Sequence, residues 1–226
     1  MIQIPVPLIL TSDFPSSSNG AVLTRILRTT ENPRVAWMPP LTAVGKAKFA
    51  DAQERFKSLG VSKLEFCDID QEPNDAQLGG LDQYDVIYFT GGDPLVFRQN
   101  IQRSGVSIGI RNCLAAGRLI VAASGGAMQF TTNVSLYRLL TQSVEKVAAD
   151  HSAYAALGLV EYELLPHLNT LDEEFLVKVR RYSEVVSSDI VALEDGAAMI
   201  HENDGSVSCI GRGVRFRGGR EVAVEL

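Results

Sequence analysis

Cysteine is scarce in this sequence, and its few copies lie far apart. The 226 residues include three cysteines, Cys67, Cys113 and Cys209, with no C-x-x-C pair and no histidine-rich neighbour. Zinc sites need closely spaced cysteine or histidine ligands, and secreted disulfide frameworks usually have an even cysteine count. The pattern therefore predicts no metal site and a reduced, cytoplasmic setting.

Positive charge and long apolar runs are lacking as well. The chain has 21 Lys and Arg against 27 Asp and Glu, a net charge of −6, which argues against nucleic acid as a partner. No apolar run approaches the ~20 residues that a membrane-spanning helix requires. The apolar start, residues 2–10, has no basic residue before it and is broken by Pro5 and Pro7. We therefore expect neither a signal peptide nor a membrane partner.

Short apolar runs alternate with longer amphipathic stretches in the first half of the chain. This alternation is typical of a mostly parallel sheet covered by helices. The predicted strands are 6–11, 34–38, 64–68, 86–90 and 119–123, and the predicted helices are about 21–30, 46–59, 94–104 and 107–116. No linker, repeat or low-complexity tract marks a boundary, so residues 1–226 are expected to form one domain.

The pattern changes after Met128. Helical stretches are predicted around 134–149, a strand at 162–165, and a helix at about 171–187 with a capping box formed by Thr170 and Glu173. Five short strands follow at 190–193, 197–201, 207–210, 214–217 and 221–224, with a hairpin signal at Asn203-Asp204-Gly205. The predicted fold is α/β in three layers, flavodoxin-like or like a class I glutamine amidotransferase, with antiparallel C-terminal strands.

A serine follows directly after the predicted strand 119–123, in Ser124-Gly125-Gly126. A nucleophile elbow needs this arrangement, because its sharp strand-to-helix turn tolerates only small residues two positions before and after the nucleophile. The Gly125 N–H then lies at a helix N-terminus, where it can stabilise an oxyanion. Two alternatives remain open: Ser124 caps a helix, or the loop holds a phosphate as in flavodoxin-like proteins.

A second glycine pair ends the predicted strand 86–90, in Gly91-Gly92-Asp93-Pro94. Glycines at a strand end allow backbone N–H groups to approach a ligand in the crevice of an α/β sheet. Alternatively, this is a tight turn in which Asp93 caps a helix that begins at Pro94. The two interpretations are compatible.

A base and a carboxylate are predicted farther along the chain. His167 follows the strand 162–165, where a base would reach a nucleophile on a neighbouring strand, whereas His151 and His201 have poorer settings. The acidic pair Glu194-Asp195 ends a later strand. It is either part of a solvated turn or the source of a carboxylate that orients an imidazole.

Taken in order, these four segments resemble the serine peptidases of family S51, which include aspartyl dipeptidase (peptidase E) and cyanophycinase. The resemblance covers most of the chain. It implies Ser124 as nucleophile, His167 as base, Asp195 as the triad acid with Glu194 as its rival, and the Gly92 and Gly125 amides as oxyanion donors. The chain order Ser, His, acid differs from the Ser, Asp, His order of α/β-hydrolases.

The resemblance further implies a serine exopeptidase that acts on short peptides, with Asp-X or isoaspartyl bonds as candidates, without metal or cofactor, as a monomer or homodimer. Two departures bear on the site. The family's Ser-Ala-Gly is Ser-Gly-Gly here, which keeps the backbone donor but loosens the turn and predicts weaker oxyanion preorganisation. Asp93 replaces the usual amide residue, where a carboxylate facing the pocket would repel an acidic side chain and attract an amine or guanidinium. The candidates for a substrate-reading arginine are Arg98, Arg138, Arg180 and Arg181.

Two alternative functions use the same residues differently. One is an inactive or altered-specificity homologue that binds a small anionic metabolite, which predicts Ser124 and His167 too far apart for a hydrogen bond. The other is a flavodoxin-like binder of phosphate or nucleotide at the Ser124 loop, although neither phosphate-binding glycine fingerprint is present.

Overall fold

A computed structural model describes residues 7–14, 20–70 and 80–224 of the chain. Its strands are β1 (Leu8–Thr11), β2 (Arg34–Met38), β3 (Lys63–Phe66), β4 (Val86–Phe89), β5 (Leu119–Ala123), β6 (Glu163–Leu165), β7 (Ile190–Leu193), β8 (Ala198–His201), β9 (Val207–Ile210), β10 (Gly213–Arg217) and β11 (Arg220–Ala223). Its α-helices are α1 (Gly20–Leu27), α2 (Thr42–Ser58), α3 (Pro94–Ser104), α4 (Val106–Ala115), α5 (Gly125–Met128), α6 (Val144–Ala149) and α7 (Glu173–Val185). The α/β class is confirmed.

The strands form two sheets. The seven-stranded sheet has the order β3-β2-β4-β5-β1-β8-β9. Its first five strands are parallel to one another, β8 pairs antiparallel with β1, and β9 pairs antiparallel with β8. The four-stranded sheet has the order β11-β10-β7-β6, with only β6 and β7 parallel. The hairpin predicted at Asn203-Asp204-Gly205 joins β8 to β9 and is confirmed.

Both faces of the seven-stranded sheet are covered, which explains why its central strands are continuous apolar runs. On one face Ile9, Trp37 and Val121 pack with residues of α1 and α2. On the other face Leu10, Phe89 and Ala122 pack with residues of α3, α4 and the second sheet. A third cluster lies between α7 and the four-stranded sheet. Because β1, β4 and β5 are parallel, their carboxyl ends lie together at one edge of this sheet.

Local signals place most helix ends correctly. Asp93 caps α3, with its Oδ1 accepting hydrogen bonds from the Leu95 and Val96 amides (2.8 and 3.2 Å), and Pro94 is the first helical residue. Gly105 ends the helix in the left-handed region, with φ 67°.

Two predictions about the second half are wrong in detail. The helical stretch 134–149 is a 3-10 turn at Ser135–Leu140 followed by α6. The capping box of α7 does not form, because the Thr170 hydroxyl donates to the His167 carbonyl (2.8 Å) within a 3-10 turn, and Asp172 caps the helix instead (2.8 Å to the Phe175 amide). Residue 6 of the first predicted strand lies outside the described residues.

Candidate active site

Ser124 lies in a strained turn between β5 and α5. Its backbone has φ 48° and ψ −120°, a region that residues with a side chain rarely adopt. The Ser124 amide donates to the Thr11 carbonyl at the end of β1 (3.0 Å), which anchors the turn to the sheet. A methyl group on Gly126 would overlap the Thr90 carbonyl oxygen, so the chain requires glycine there. These are the features of a nucleophile elbow.

The Gly91-Gly92 loop packs directly against this elbow. A Cβ atom on Gly125 would overlap the Gly92 carbonyl oxygen, and Gly92 itself has φ 146°, where glycine is favoured. The buried Gln129 amide joins the two segments, because its Nε2 donates to the carbonyls of Pro94 (3.0 Å) and Gly125 (2.8 Å). Gln129 has no distinguishing signal in the sequence, and its role is visible only in the structure.

The backbone amides of Gly92 and Gly125 are available as hydrogen-bond donors. Within residues 7–14, 20–70 and 80–224, neither amide has a hydrogen-bond partner. Both residues line one cavity together with Ser124 and His167. The arrangement can therefore bind a developing negative charge beside the serine oxygen.

His167 reaches Ser124 from the other sheet. Its Nε2 lies 2.9 Å from the Ser124 Oγ atom, and its backbone is in the left-handed region with φ 61°. The expectation that base and nucleophile lie on neighbouring strands is wrong, because the neighbours of β5 are β4 and β1, whereas β6 belongs to the four-stranded sheet. The packing of the two sheets brings the ends of β5 and β6 together.

Asp195, not Glu194, contacts the imidazole. The His167 Nδ1 atom lies 2.6 Å from Asp195 Oδ1. The Glu194 carboxylate lies 3.8 Å from the Arg212 guanidinium instead. Both residues belong to the turn that joins β7 to β8, in which the Ala197 amide donates to the Glu194 carbonyl (2.9 Å). The turn links the two sheets and directs only one of its carboxylates towards His167.

Three side chains near the carboxylate were not predicted from the sequence. The buried Ser12 hydroxyl donates to Asp195 Oδ1 (2.8 Å) and accepts from the His167 amide (2.7 Å). Asn169 Oδ1 accepts from the Asp195 amide (2.8 Å), and Asp13 Oδ1 accepts from the Gly196 amide (2.6 Å). Polar residues directly after a buried strand, as in Thr11-Ser12-Asp13, are the signal that could have revealed this role.

Asp93, predicted to contact the substrate, uses its Oδ1 to cap α3. It lines a cavity of about 710 Å³ on the far side of the Gly91-Gly92 loop, which Pro39, Pro40 and Gly45 also line. The loop after β2 thus borders the region of the site. A contact between Asp93 and substrate stays a prediction.

The two other histidines have different surroundings. His151 Nε2 lies 3.1 Å from the fully buried Glu163 carboxylate. His201 Nε2 lies 2.9 Å from the Tyr162 hydroxyl, and burial lowers the pKa of His201 to about 4. Neither ring approaches Ser124 in this arrangement, which leaves His167 as the base candidate.

Residues 7–14, 20–70 and 80–224 contain no group of three or more His, Cys, Asp or Glu side chains placed to hold a metal ion. In the same ranges no helix is long and apolar enough to cross a membrane.

A serine hydroxyl, an imidazole and two backbone amides without partners among the described residues lie together at the carboxyl edge of an α/β sheet. A family model described as peptidase family S51 matches residues 8–209. The chain therefore belongs to peptidase family S51, and it is a peptidase.

Relatives and solved structures agree with this membership. The uncharacterized peptidase Lmo0363 of Listeria monocytogenes is 29% identical over 164 residues, which cover 72% of this chain and 78% of that one. Lin0382 of Listeria innocua, also an uncharacterized peptidase, is 28% identical over 166 residues, 73% of this chain and 77% of that one. A crystal structure of a candidate peptidase E protein from Listeria monocytogenes has a TM-score of 0.69 and 25% identity, and covers 91% of this chain and 98% of that one. A peptidase from an acI-B1 actinobacterium shares the fold, with a TM-score of 0.72 at 16% identity and 96% coverage of both chains.

Proposed function

We propose that the protein is a serine peptidase that hydrolyses short peptides through an acyl-enzyme intermediate. The observation that carries this proposal is the continuous chain of contacts from Ser124 Oγ to His167 Nε2 (2.9 Å) and from His167 Nδ1 to Asp195 Oδ1 (2.6 Å). This is the geometry by which a serine hydroxyl is deprotonated and an imidazolium is stabilised.

In the proposed mechanism, His167 Nε2 takes the hydroxyl proton while Ser124 Oγ attacks the scissile carbonyl carbon. The C–N bond then breaks, and His167 returns the proton to the leaving amine. A water molecule next gives its proton to the same nitrogen and attacks the ester, which releases the carboxylic acid and restores the Ser124 hydroxyl. Asp195 does not take a proton in this scheme. It fixes the imidazole tautomer with the N–H at Nδ1.

The Gly92 and Gly125 amides would hold the oxyanion in both steps. Removal of one such donor costs about 3 kcal/mol of transition-state stabilisation in comparable sites. The contact between Gly125 and the Gly92 carbonyl supports this assignment, because it fixes the separation of the two amides without a flexible side chain. We expect the Ser-Gly-Gly sequence to be compatible with a preorganised oxyanion site.

Short peptides are proposed as substrates because of the family and because of the cavity at Ser124. That cavity has a volume of about 160 Å³, which accommodates one side chain of a substrate. The alternative of an inactive metabolite-binding homologue predicts that Ser124 and His167 are separated, and the 2.9 Å contact favours the hydrolase instead.

The test is cleavage of a dipeptide library by the wild type and by Ser124→Ala, with free amines quantified, together with labelling by a fluorophosphonate. We expect amine release and a single adduct at Ser124, and neither in Ser124→Ala. Ser58→Ala is a matched control, because this exposed hydroxyl bonds only its own helix backbone (2.7 Å to the Arg55 carbonyl). Amine release that survives Ser124→Ala would contradict the mechanism. Rapid cleavage of internal bonds in long peptides would contradict the short-peptide substrate.

A further inference from the structure

We infer that the cavity beside Ser124 selects an uncharged, apolar side chain on the residue whose carbonyl is attacked. This inference rests on the proposed function and names its substrate class. The cavity wall includes Ser124 and both proposed oxyanion donors, Gly92 and Gly125, which all contact the acyl group in the mechanism. The side chain that enters the cavity is therefore the one next to the scissile carbonyl.

The wall of this cavity consists mostly of apolar side chains. The apolar members are Pro94, Met128, Tyr137, Leu140, Leu165, Pro166, Leu171 and Phe175. Beyond Ser124 and His167, the polar side-chain groups among the described lining residues are the hydroxyls of Tyr137 and Thr170. An aspartate side chain would lose hydration here without meeting a cation, which costs several kcal/mol for a buried carboxylate.

The four arginines that were candidates for reading an acidic substrate are occupied elsewhere. Arg138 is buried and forms a double hydrogen bond with Asp150 (2.5 and 3.0 Å), and Arg98 donates to the carbonyls of Ala153 and Ala155 (both 2.7 Å). Arg180 pairs with Glu173 and Glu221, and Arg181 pairs with Glu184. None of the four lines the cavity.

The remaining segments add no basic side chain. Residues 1–6, 15–19, 71–79 and 225–226 contain no lysine and no arginine. The nearby fixed charges are negative instead. Asp195 lies behind His167. The pKa of the Tyr137 hydroxyl in the cavity wall is raised, mainly by burial and further by the negative charge of Asp93. The local potential thus disfavours a second carboxylate.

Size and exposure point to the same class of side chain. A cavity of about 160 Å³ is close to the roughly 150 Å³ of an engineered apolar cavity that binds benzene. A leucine, methionine or phenylalanine side chain is of this size. Leu140 is 53% exposed at the cavity, an apolar side chain in water that a bound apolar group would cover.

The direct test compares dipeptides that differ only in their first residue, Leu-Ala, Met-Ala, Phe-Ala, Asn-Ala and Asp-Ala. We expect kcat/KM for the best apolar member to exceed that for Asp-Ala by at least about 100-fold, and that for Asn-Ala to lie between them. Asn-Ala separates the effect of charge from that of size, because asparagine matches aspartate in shape. All cleavage should disappear in Ser124→Ala.

A matched pair of variants tests the location of the selectivity. Leu140→Arg places a cation at the cavity, and we expect it to raise the ratio of Asp-Ala to Leu-Ala cleavage about tenfold or more. Val177→Arg adds the same charge at a 55% exposed position on α7 that does not line the cavity, and the ratio should stay within twofold of the wild type. Both positions are exposed, so folding should tolerate the change.

The outcomes separate this inference from the proposed function. Ser124-dependent cleavage in which Asp-Ala is the best substrate would overturn the inference and leave the serine peptidase intact. An equal response of the ratio to Leu140→Arg and Val177→Arg would overturn the location of the subsite. Labelling of Ser124 without cleavage of any apolar dipeptide would overturn the inference too. Absence of both labelling and cleavage would overturn the proposed function, and the inference with it.

Discussion

The proposed nucleophile, Ser124, and the proposed base, His167, lie in two regions that are held together by different means. The elbow region, defined as β4, β5 and the glycine turns that follow them, uses backbone contacts in which a single added methyl group would collide. The base region, defined as β6, β7 and the turns that carry His167 and Asp195, uses side-chain hydrogen bonds from Ser12, Asp13 and Asn169. Backbone packing tolerates almost no substitution, whereas a hydrogen-bond network can be weakened one bond at a time.

The difference also explains how the two regions depend on each other. The elbow region belongs to the seven-stranded sheet and the base region to the four-stranded sheet. Ser12, at the end of β1 in the first sheet, bonds both His167 and Asp195 in the second. The site is therefore a junction, and its geometry depends on how the sheets pack rather than on either sheet alone.

The largest expected effect tests whether the two regions act as one unit. Ser124→Ala and His167→Ala should each lower kcat/KM about 10⁴-fold or more, and the double variant should be no worse than the poorer single variant within a few-fold. The reason is that, in the proposed mechanism, the serine hydroxyl is not deprotonated without the imidazole, and the imidazole has no nucleophile to activate without the serine. Steady-state kinetics on one dipeptide decides this, and losses that multiply would show that the regions contribute independently.

Exchange of the two neighbouring carboxylates tests the base region itself. Asp195→Asn should lower kcat/KM about 10⁴-fold, because an amide favours the wrong imidazole tautomer. Glu194→Gln should stay within about threefold of the wild type, since its carboxylate faces Arg212. Circular dichroism should show that both variants fold. The opposite ranking would assign the role of the acid to Glu194.

A single methyl group tests the elbow region. Gly125→Ala should lower kcat/KM about 100-fold and destabilise the fold by about 1–3 kcal/mol, because the Gly92 carbonyl has to move and takes an oxyanion donor with it. Alanine is the residue that the family resemblance gives for this position, so the expected loss is particular to this chain. Gly20→Ala is the control, since no atom of residues 7–14, 20–70 or 80–224 lies within 4 Å of its added Cβ, and thermal unfolding should show no loss.

The smallest expected effect concerns a second junction between the two sheets. Tyr162, just before β6, bonds His201 of β8 at the end of β1 opposite to Ser12. Burial lowers the pKa of His201 to about 4 in the folded state, below the unfolded value of about 6.5. Its contribution to stability is therefore present above pH 6.5 and is lost as the pH falls from about 6.5 towards 4.

Chemical denaturation at several pH values measures this effect. His201→Gln keeps a polar side chain but cannot titrate, so the free energy of unfolding of this variant should fall less between pH 6.5 and 4 than that of the wild type. Identical pH profiles for the two proteins would show that this junction does not titrate.

The sequence predicts the elbow region well because its signals are local. Predicted strand 119–123 agrees with β5 to the residue and predicted strand 86–90 agrees with β4 to within one residue, and Ser124 and both glycine pairs lie within three residues of the strand ends. Each of these features depends on residues within about ten positions of one another. The succession of strand, tight-turn and helix signals in the sequence is enough to predict them.

The base region could be predicted only in part, because long-range contacts arrange it. Ser12 and Asp195 are 183 residues apart, and no local pattern connects them. Glu194 and Asp195 have the same local setting, so only the packing of the turn between the sheets decides which one meets His167. The capping box at Thr170 failed for a local reason instead, since that hydroxyl bonds the carbonyl of His167 three residues earlier.

The backbone of Ser124 places stability and chemistry in opposition at a single position. A non-glycine residue at φ 48° costs about 1–3 kcal/mol, out of a total stability of typically 5–15 kcal/mol. Glycine would relieve that strain, so selection for folding alone favours replacing this serine. Most proteins drift close to the limit of stability that their function requires. The proposed role of the hydroxyl as nucleophile would account for a serine in this strained conformation.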